Sequence, residues 1–477
     1  MKKNIIFNLV YQILLLFTPL ITTPYLSRIL EPYGIGTASF TMSVQAYFTM
    51  FAVLGTAGYG IRQIAMLRDD RYERSKMFWE IEILVVFTTT IALSFWGVFI
   101  YLSEDCSIYY AILSLGILAV IFDISWFYSG IEDFKSIVLK NSVVKIVSVI
   151  LIFAIVKTKE DLWIYILILS LSTLIGNLSL WVNLKQFVDK VSLHELHPWR
   201  HFAPAFEYFI PSIAISVYLV LDKVLIGVLT NSAFQNGFYE QAHKIVGVAK
   251  VLTFSSINSV LGSRISYLFS EKRFDEIKVH IAKSIDLILL IGICITFGII
   301  SVADIFVPLF FGKGYDQVGI LLSSLCPIVI FAGISSCVGS QYFTPFGLLR
   351  IANKLIIAGA FVNLLLNLAL IPRYSAFGAV LGTVVAEAII AFLFVKFDNG
   401  YLTYEQIYQK SIKKIIAAMI MLGVIRTLTP YLLISWASFL TLVGIGSLAY
   451  VGILVILKDS GLYLIFKLIA DKLRKNI

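Results

Sequence analysis

Charge is scarce in this chain. Asp, Glu, Lys and Arg make up 14% of its 477 residues, against about 25% in a soluble domain. Six long runs carry none at all: 4–27, 32–61, 83–103, 162–184, 317–349 and 427–457. A membrane-spanning helix needs roughly 20 apolar residues, so a soluble fold is excluded. The ~10-residue alternating segments of a membrane barrel are missing as well. Cysteine is rare: Cys106, Cys294, Cys326 and Cys337 show no paired spacing, which argues against a disulfide framework or a zinc motif. Three of them lie in apolar runs, where a thiol acts as a small hydrophobe. No HExxH, Walker A or dinucleotide fingerprint occurs, so ATP hydrolysis by this chain is not expected. Three of the five histidines, His194, His197 and His201, cluster beside Glu195. Their spacing would align three imidazoles on a helix, but Pro198 interrupts it. No metal site is expected.

What remains is hydrocarbon. Hydrophobic residues make up 59% of the chain and the mean hydropathy is +0.90. The pattern predicts an all-α polytopic membrane protein with about fourteen transmembrane helices. The first covers 5–28, the seventh 207–230, the eighth 239–263, the ninth 282–305, the tenth 317–343 and the twelfth 376–396. The last two cover 412–428 and 432–457. Lys2 and Lys3 precede a run too long for a signal-peptide core, so the first helix reads as a true span.

The segments between spans alternate in charge. Those after even-numbered spans are basic: 62–76, 135–145, 185–200, 264–283, 350–354 and 396–414. Of 38 Lys and Arg residues, 29 fall on one side of the membrane, 6 on the other and 3 within spans. Cytoplasmic loops retain Lys and Arg, so both termini are expected in the cytoplasm. The net charge of +9 then records topology and not nucleic-acid binding. The tail, 458–477, sets Leu462, Tyr463, Ile465, Phe466 and Leu473 against Lys467, Lys472, Arg474 and Lys475. That pattern predicts an amphipathic helix on the inner leaflet, in contact with membrane lipids.

An internal repeat is present. Arg62, Asp69, Arg71, Tyr72, Glu73 and Lys76 recur as Arg264, Glu271, Arg273, Phe274, Asp275 and Lys278, each 202 residues later. The two blocks follow spans 2 and 8, so six spans separate them and both units have the same orientation. The expected organisation is an N-lobe over 1–200, a C-lobe over 201–400, two extra spans over 401–457 and the cytoplasmic tail over 458–477.

Charges inside spans are costly, at least about 2.5–3.5 kcal/mol each, and mark functional cavities or ion pairs. Asp222 and Lys223 lie in span 7, Lys244 and Lys250 in span 8, Asp123 in span 4, Asp286 near the start of span 9 and Glu387 in span 12. Arg28 ends span 1, and Arg62 and Arg264 end spans 2 and 8. Two readings stand. In one, Arg28, Arg62, Lys244, Lys250 and Arg264 line a cationic cavity for an anionic headgroup. In the other, Asp222 neutralises Lys223 or Lys250 and the arginines snorkel to the interface. Asp123, Asp222, Lys223 and Glu387 are candidates for coupling or charge pairing. Pro24, Pro204, Pro211, Pro327 and Pro345 lie in or at the ends of spans, where they kink helices.

Several motifs resemble one family. They are Thr23 to Leu30 leading to Tyr33-Gly34-Ile35-Gly36, Asp123 to Lys135 with Asn141, Leu221 to Gly227 followed by Gly237-Phe238-Tyr239, and Asn363 to Pro372 followed by Gly378 and Gly382. In this order and at these spacings they resemble bacterial oligosaccharide flippases, the polysaccharide-transporter branch of the MOP exporter superfamily. The resemblance implies a MATE-like arrangement of two six-helix lobes plus two extra helices, in the bacterial cytoplasmic membrane. It also implies export of an undecaprenyl-diphosphate-linked oligosaccharide for O-antigen, capsule or teichoic-acid synthesis. Other polysaccharide-assembly membrane proteins would be partners. No cofactor is implied, and coupling to a proton or sodium is left open. A drug exporter of the same superfamily would be expected to carry acidic cavity residues, whereas the excess here is basic. A membrane polymerase would need a long outer loop, which the chain lacks.

Overall fold

The computed structural model describes residues 2–103 and 105–475. Among them there is no strand. The helices group into two compact units, Met1–Gly237 and Phe238–Ile477.

The first unit begins with α1 (Lys2–Val53), which consists of two helices meeting at Glu31, whose φ of 56° and ψ of 175° are not helical. Pro32 follows and disfavours helical backbone in the residue before it. After α1 come α2 (Thr56–Met66), α3 (Arg71–Leu102), α4 (Ser107–Leu118), α5 (Ser125–Gly130), α6 (Phe134–Ile155), α7 (Leu162–Trp181) and α8 (Phe202–Thr230). α1 packs on α3, α4, α6 and α8, and α7 closes the unit against α4 and α6. Asp70 caps α3 by accepting from the backbone N–H groups of Tyr72 and Glu73. The aromatic rings of Phe78, Trp126 and Phe127 form its centre, and Tyr128 donates to the Leu180 carbonyl at 2.7 Å.

α9 (Ala233–Lys250) crosses from one unit to the next. The second unit continues with α10 (Ser256–Ser270), α11 (Phe274–Phe311), α12 (Asp316–Leu325), α13 (Ile328–Val338), α14 (Leu349–Tyr374), α15 (Ala376–Lys396), α16 (Tyr404–Leu428), α17 (Trp436–Ile456) and α18 (Ser460–Lys475). α11 is the axis of this unit, touching α10, α12, α13, α16, α17 and α18. It begins one residue past position 273, the 202-residue equivalent of the Arg71 that starts α3. Two π-helical turns interrupt the unit, at Val251–Ser255 and Gly339–Phe343.

Ten helical segments among the described residues are long and apolar enough to cross a membrane. The difference from fourteen has identifiable sources. Expected spans 1 and 2 meet at Glu31 and so fall within one segment, Phe17–Met66. Expected spans 8 and 13, α9 and α16, carry Glu240, Lys244 and Lys250, and Lys410, Lys413, Lys414 and Arg426. Expected span 7, α8, includes side chains outside the described set. The protein is a multi-span helical membrane protein.

Candidate functional site

Among the described residues, a buried charge pair of the expected site lies in the second unit. α9 ends at Lys250, immediately before the first π turn. Its Nζ stands 3.6 Å from Oε1 of Glu387 on α15, whose side chain is 4% exposed. π turns widen a helix locally and are frequent at functional sites. Thr383 lies one helical turn before Glu387, on the same face. Asn363 Nδ2 reaches the Thr383 hydroxyl at 3.3 Å, and Asn367 Nδ2 donates to Asn363 Oδ1 at 3.1 Å. A strip of polar groups therefore runs between α14 and α15. Glycine makes it possible: a Cβ on Gly382 would lie 2.6 Å from Asn367 Oδ1, and one on Gly378 2.5 Å from the Leu370 backbone. Small residues let helices approach closely in membranes.

The second π turn serves another network. Gln341 within it donates to Asn258 Oδ1 at 3.2 Å and accepts from Ser284 at 2.8 Å, while Asn258 donates to Ser336 at 2.9 Å.

The other expected residues have local partners of their own. Lys244 pairs with Glu240 on its own helix at 3.3 Å. Arg264 is exposed, with its guanidinium 5.5 Å from the centre of the Tyr267 ring. In the first unit Arg28 is exposed and donates to the Pro24 carbonyl at 2.8 Å. Arg62 is exposed and donates to the Tyr208 hydroxyl at 3.2 Å. Asp222 is buried, and the Lys223 carbonyl accepts from Asn236 at 2.7 Å. Asp123 accepts from the Ser125 amide at 3.0 Å, shaping the turn that leads into α5. Glu387 is one partner of Lys250.

Three features escaped the sequence reading. Lys414, assigned to an anchoring loop, is fully buried. Its ammonium donates to Asp286 at 2.7 Å, to Asp459 at 2.9 Å and to the Lys410 carbonyl at 2.8 Å. Lys410 adds a second cation 3.4 Å from Asp286. The residue lies within α16, which starts at Tyr404 and not near 412.

The second is the histidine segment. Pro198 starts a separate short turn, Pro198–His201, so the three imidazoles share no helix. His201 is instead buried between Glu80, at 2.7 Å from Nε2, and Tyr59, at 2.7 Å from Nδ1. Burial pushes the imidazole below its usual range, against the pull of Glu80. Arg200 also reaches Glu80, at 2.6 Å. Among the described residues no group of His, Cys, Asp and Glu is arranged to hold a metal.

The third is Glu82 on α3. It is 3% exposed and neither carboxylate oxygen has a hydrogen-bond partner. A charged carboxylate in such a place costs several kcal/mol.

Comparison with known proteins places this geometry in a family. Residues 1–269 match the model of the family described as polysaccharide biosynthesis protein. A protein assigned as an O-antigen transporter in Escherichia coli (strain K12) is 25% identical over 402 residues, covering 83% of this chain and 96% of that protein. Among solved structures, the lipid II flippase MurJ in an inward closed conformation superposes with a TM-score of 0.76 at 15% identity, over 96% of this chain and 99% of MurJ. An inward-facing MATE-family multidrug transporter of the MOP superfamily gives 0.56 at 11% identity, over 86% and 98%. The chain is therefore a multi-span membrane member of the polysaccharide biosynthesis protein family, built on the fold that MurJ and the MATE transporters share.

Proposed function

We propose that the protein is a flippase that carries a lipid-linked oligosaccharide across the bacterial cytoplasmic membrane by alternating access. The observation that carries this reading is the similarity along 83% of the chain to a protein assigned as an O-antigen transporter, inside a family defined by polysaccharide biosynthesis. The cargo class is an undecaprenyl-diphosphate-linked repeat unit of an O-antigen, capsule or teichoic-acid-type polymer. No covalent bond is made or broken, so the task is transport and not catalysis.

A diphosphate is dianionic or more and rich in acceptor oxygens, which suits Arg and Lys. Arg28, Arg62, Lys244, Lys250 and Arg264 are the residues proposed to meet it. The Lys250–Glu387 pair supports a way to couple binding to an ion. Cargo phosphate competes with Glu387 for Lys250, and the released carboxylate then takes up a proton or sodium ion. Asp123, Asp222 and Lys223 stay as secondary candidates. The basic loops face the cytoplasm in this reading, with both termini on that side.

Deleting the gene and identifying the accumulated lipid-linked intermediate by mass spectrometry tests the function and names the glycan. Lys250→Ala and Arg28→Ala are expected to abolish export at unchanged protein level. Normal surface polysaccharide in both variants would overturn the residue assignment.

A further inference from the structure

The junction between α17 and α18 holds a notch that the transport reading does not use. Its walls are Leu454 and Val455 at the end of α17 and Leu462, Tyr463 and Phe466 on α18, with Asp459 and Ser460 where the two meet, and its volume is about 440 Å³. Lys458 lies at its mouth with a φ of 49° and turns the chain from one helix into the next.

Lys458 lines it, and two further cations lie on the neighbouring helices. Lys413 donates to the Lys458 carbonyl at 3.3 Å, which ties α16 to the mouth of the notch. Lys467 is exposed and follows the wall residue Tyr463 by four positions, on the same helical face. The neighbouring carboxylates are already engaged: Asp286 binds Lys410, Lys414 and Ser460, and Asp459 binds Lys414 and the amides of Gly461 and Leu462. Among the described residues no ion pair involves Lys413, Lys458 or Lys467. Among the described residues the site thus has an apolar floor, a cationic rim and no carboxylate without a partner. It also lies at the end of a spanning helix, where a bilayer supplies chains and headgroups together.

We propose that the notch is a binding site for one anionic phospholipid. An acyl chain lies against Leu454, Leu462 and Phe466, and the phosphate stands between Lys413 and Lys458. Lys467 completes the rim. Because the same segment starts α18 and carries Asp459, lipid occupancy orders the amphipathic helix at its root. The site is separate from the cargo residues and does not depend on which glycan is moved.

The test uses the full-length protein in detergent. It is mixed with phosphatidylglycerol or phosphatidylcholine, and retained lipid is counted by native mass spectrometry. Phosphatidylglycerol should be retained in preference. Lys413→Gln and Lys458→Gln should each weaken retention about fivefold, taking roughly 1 kcal/mol per surface cation. The charge-preserving K413R/K458R variant should keep the lipid. Equal retention of both lipids would overturn the proposal, as would unchanged retention in K413Q/K458Q or loss in K413R/K458R. Displacement of the lipid by millimolar inorganic phosphate would also overturn it, since the rim would then be a free-anion site without a chain-binding floor.

Discussion

Replacing Lys414 by Met isolates the value of the buried charge cluster. An ammonium has three N–H donors, and in Lys414 all three are used, on Asp286, Asp459 and the Lys410 carbonyl. Met keeps the length of the side chain and removes the charge. Asp286 then retains Lys410 at 3.4 Å and the Ser460 hydroxyl at 2.7 Å. Asp459 retains only the backbone N–H groups of Gly461 and Leu462. Breaking a buried pair on one side costs about 3–5 kcal/mol. Because both acids keep some support, the expected loss is about 3 kcal/mol. The double variant K414M/D459N removes one of the stranded charges and should recover at least half of it. The assay is equilibrium unfolding of the purified protein in mild detergent, followed by helix content and by tryptophan fluorescence. A K414M variant within about 0.5 kcal/mol of wild type would refute the reasoning, because such a result belongs to solvated charges. Failure of the double variant to recover stability would refute the pairing with Asp459.

Two further outcomes follow from local geometry. A methyl at Gly36 would lie 1.7 Å from the Ala233 carbonyl oxygen, a backbone atom that cannot swing away. Gly36→Ala should therefore cost about 3 kcal/mol, whereas Gly97→Ala, which meets nothing within 4 Å, should leave the unfolding midpoint unchanged. Asp398, in the loop after α15, is fully buried and desolvation pushes its carboxyl up to about 6, opposed by amide hydrogen bonds from Gly400 and Leu402. Its folded value exceeds its unfolded value, so its contribution is complete below about pH 4 and lost as pH rises through about 6. The loss amounts to about 3 kcal/mol. Unfolding midpoints between pH 4.5 and 7.5 should show this fall in wild type and a flatter profile in Asp398→Asn.

Hydropathy made the class of fold legible because each spanning helix must satisfy its own backbone within the bilayer. The polar strip was partly legible. Asn363 and Asn367 are four residues apart, and Gly378 and Gly382 stand opposite. Only the structure brings Thr383 to Asn363 and Glu387 to Lys250. The Lys414 cluster had no local sign. Its acids lie 128 and 45 residues away, and a lysine next to basic loops looks like any anchor. π turns leave no composition to read. Glu80 and Glu82 lie within the 32-residue α3, and both are buried. Pro32 accounts for the break at Glu31, where two helices meet. Proline marks where helical backbone fails for one residue, and not how far the break extends.

The spacing within the Lys414 cluster also sets a timetable for synthesis. Asp286 leaves the ribosome 128 residues before its lysine. At about 5–20 residues per second that is a wait of roughly 6–26 s. For that interval α11 must sit in the insertion machinery or the bilayer with an unmatched acid. Lys414 then arrives 45 residues ahead of Asp459. The nascent chain can neutralise the acid before its last helix exists, but it cannot complete the cluster until Asp459, just ahead of that helix, is made. A chain stopped before Asp459 would carry a half-matched lysine in its interior and would be a target for quality control, even though its earlier helices had all been inserted.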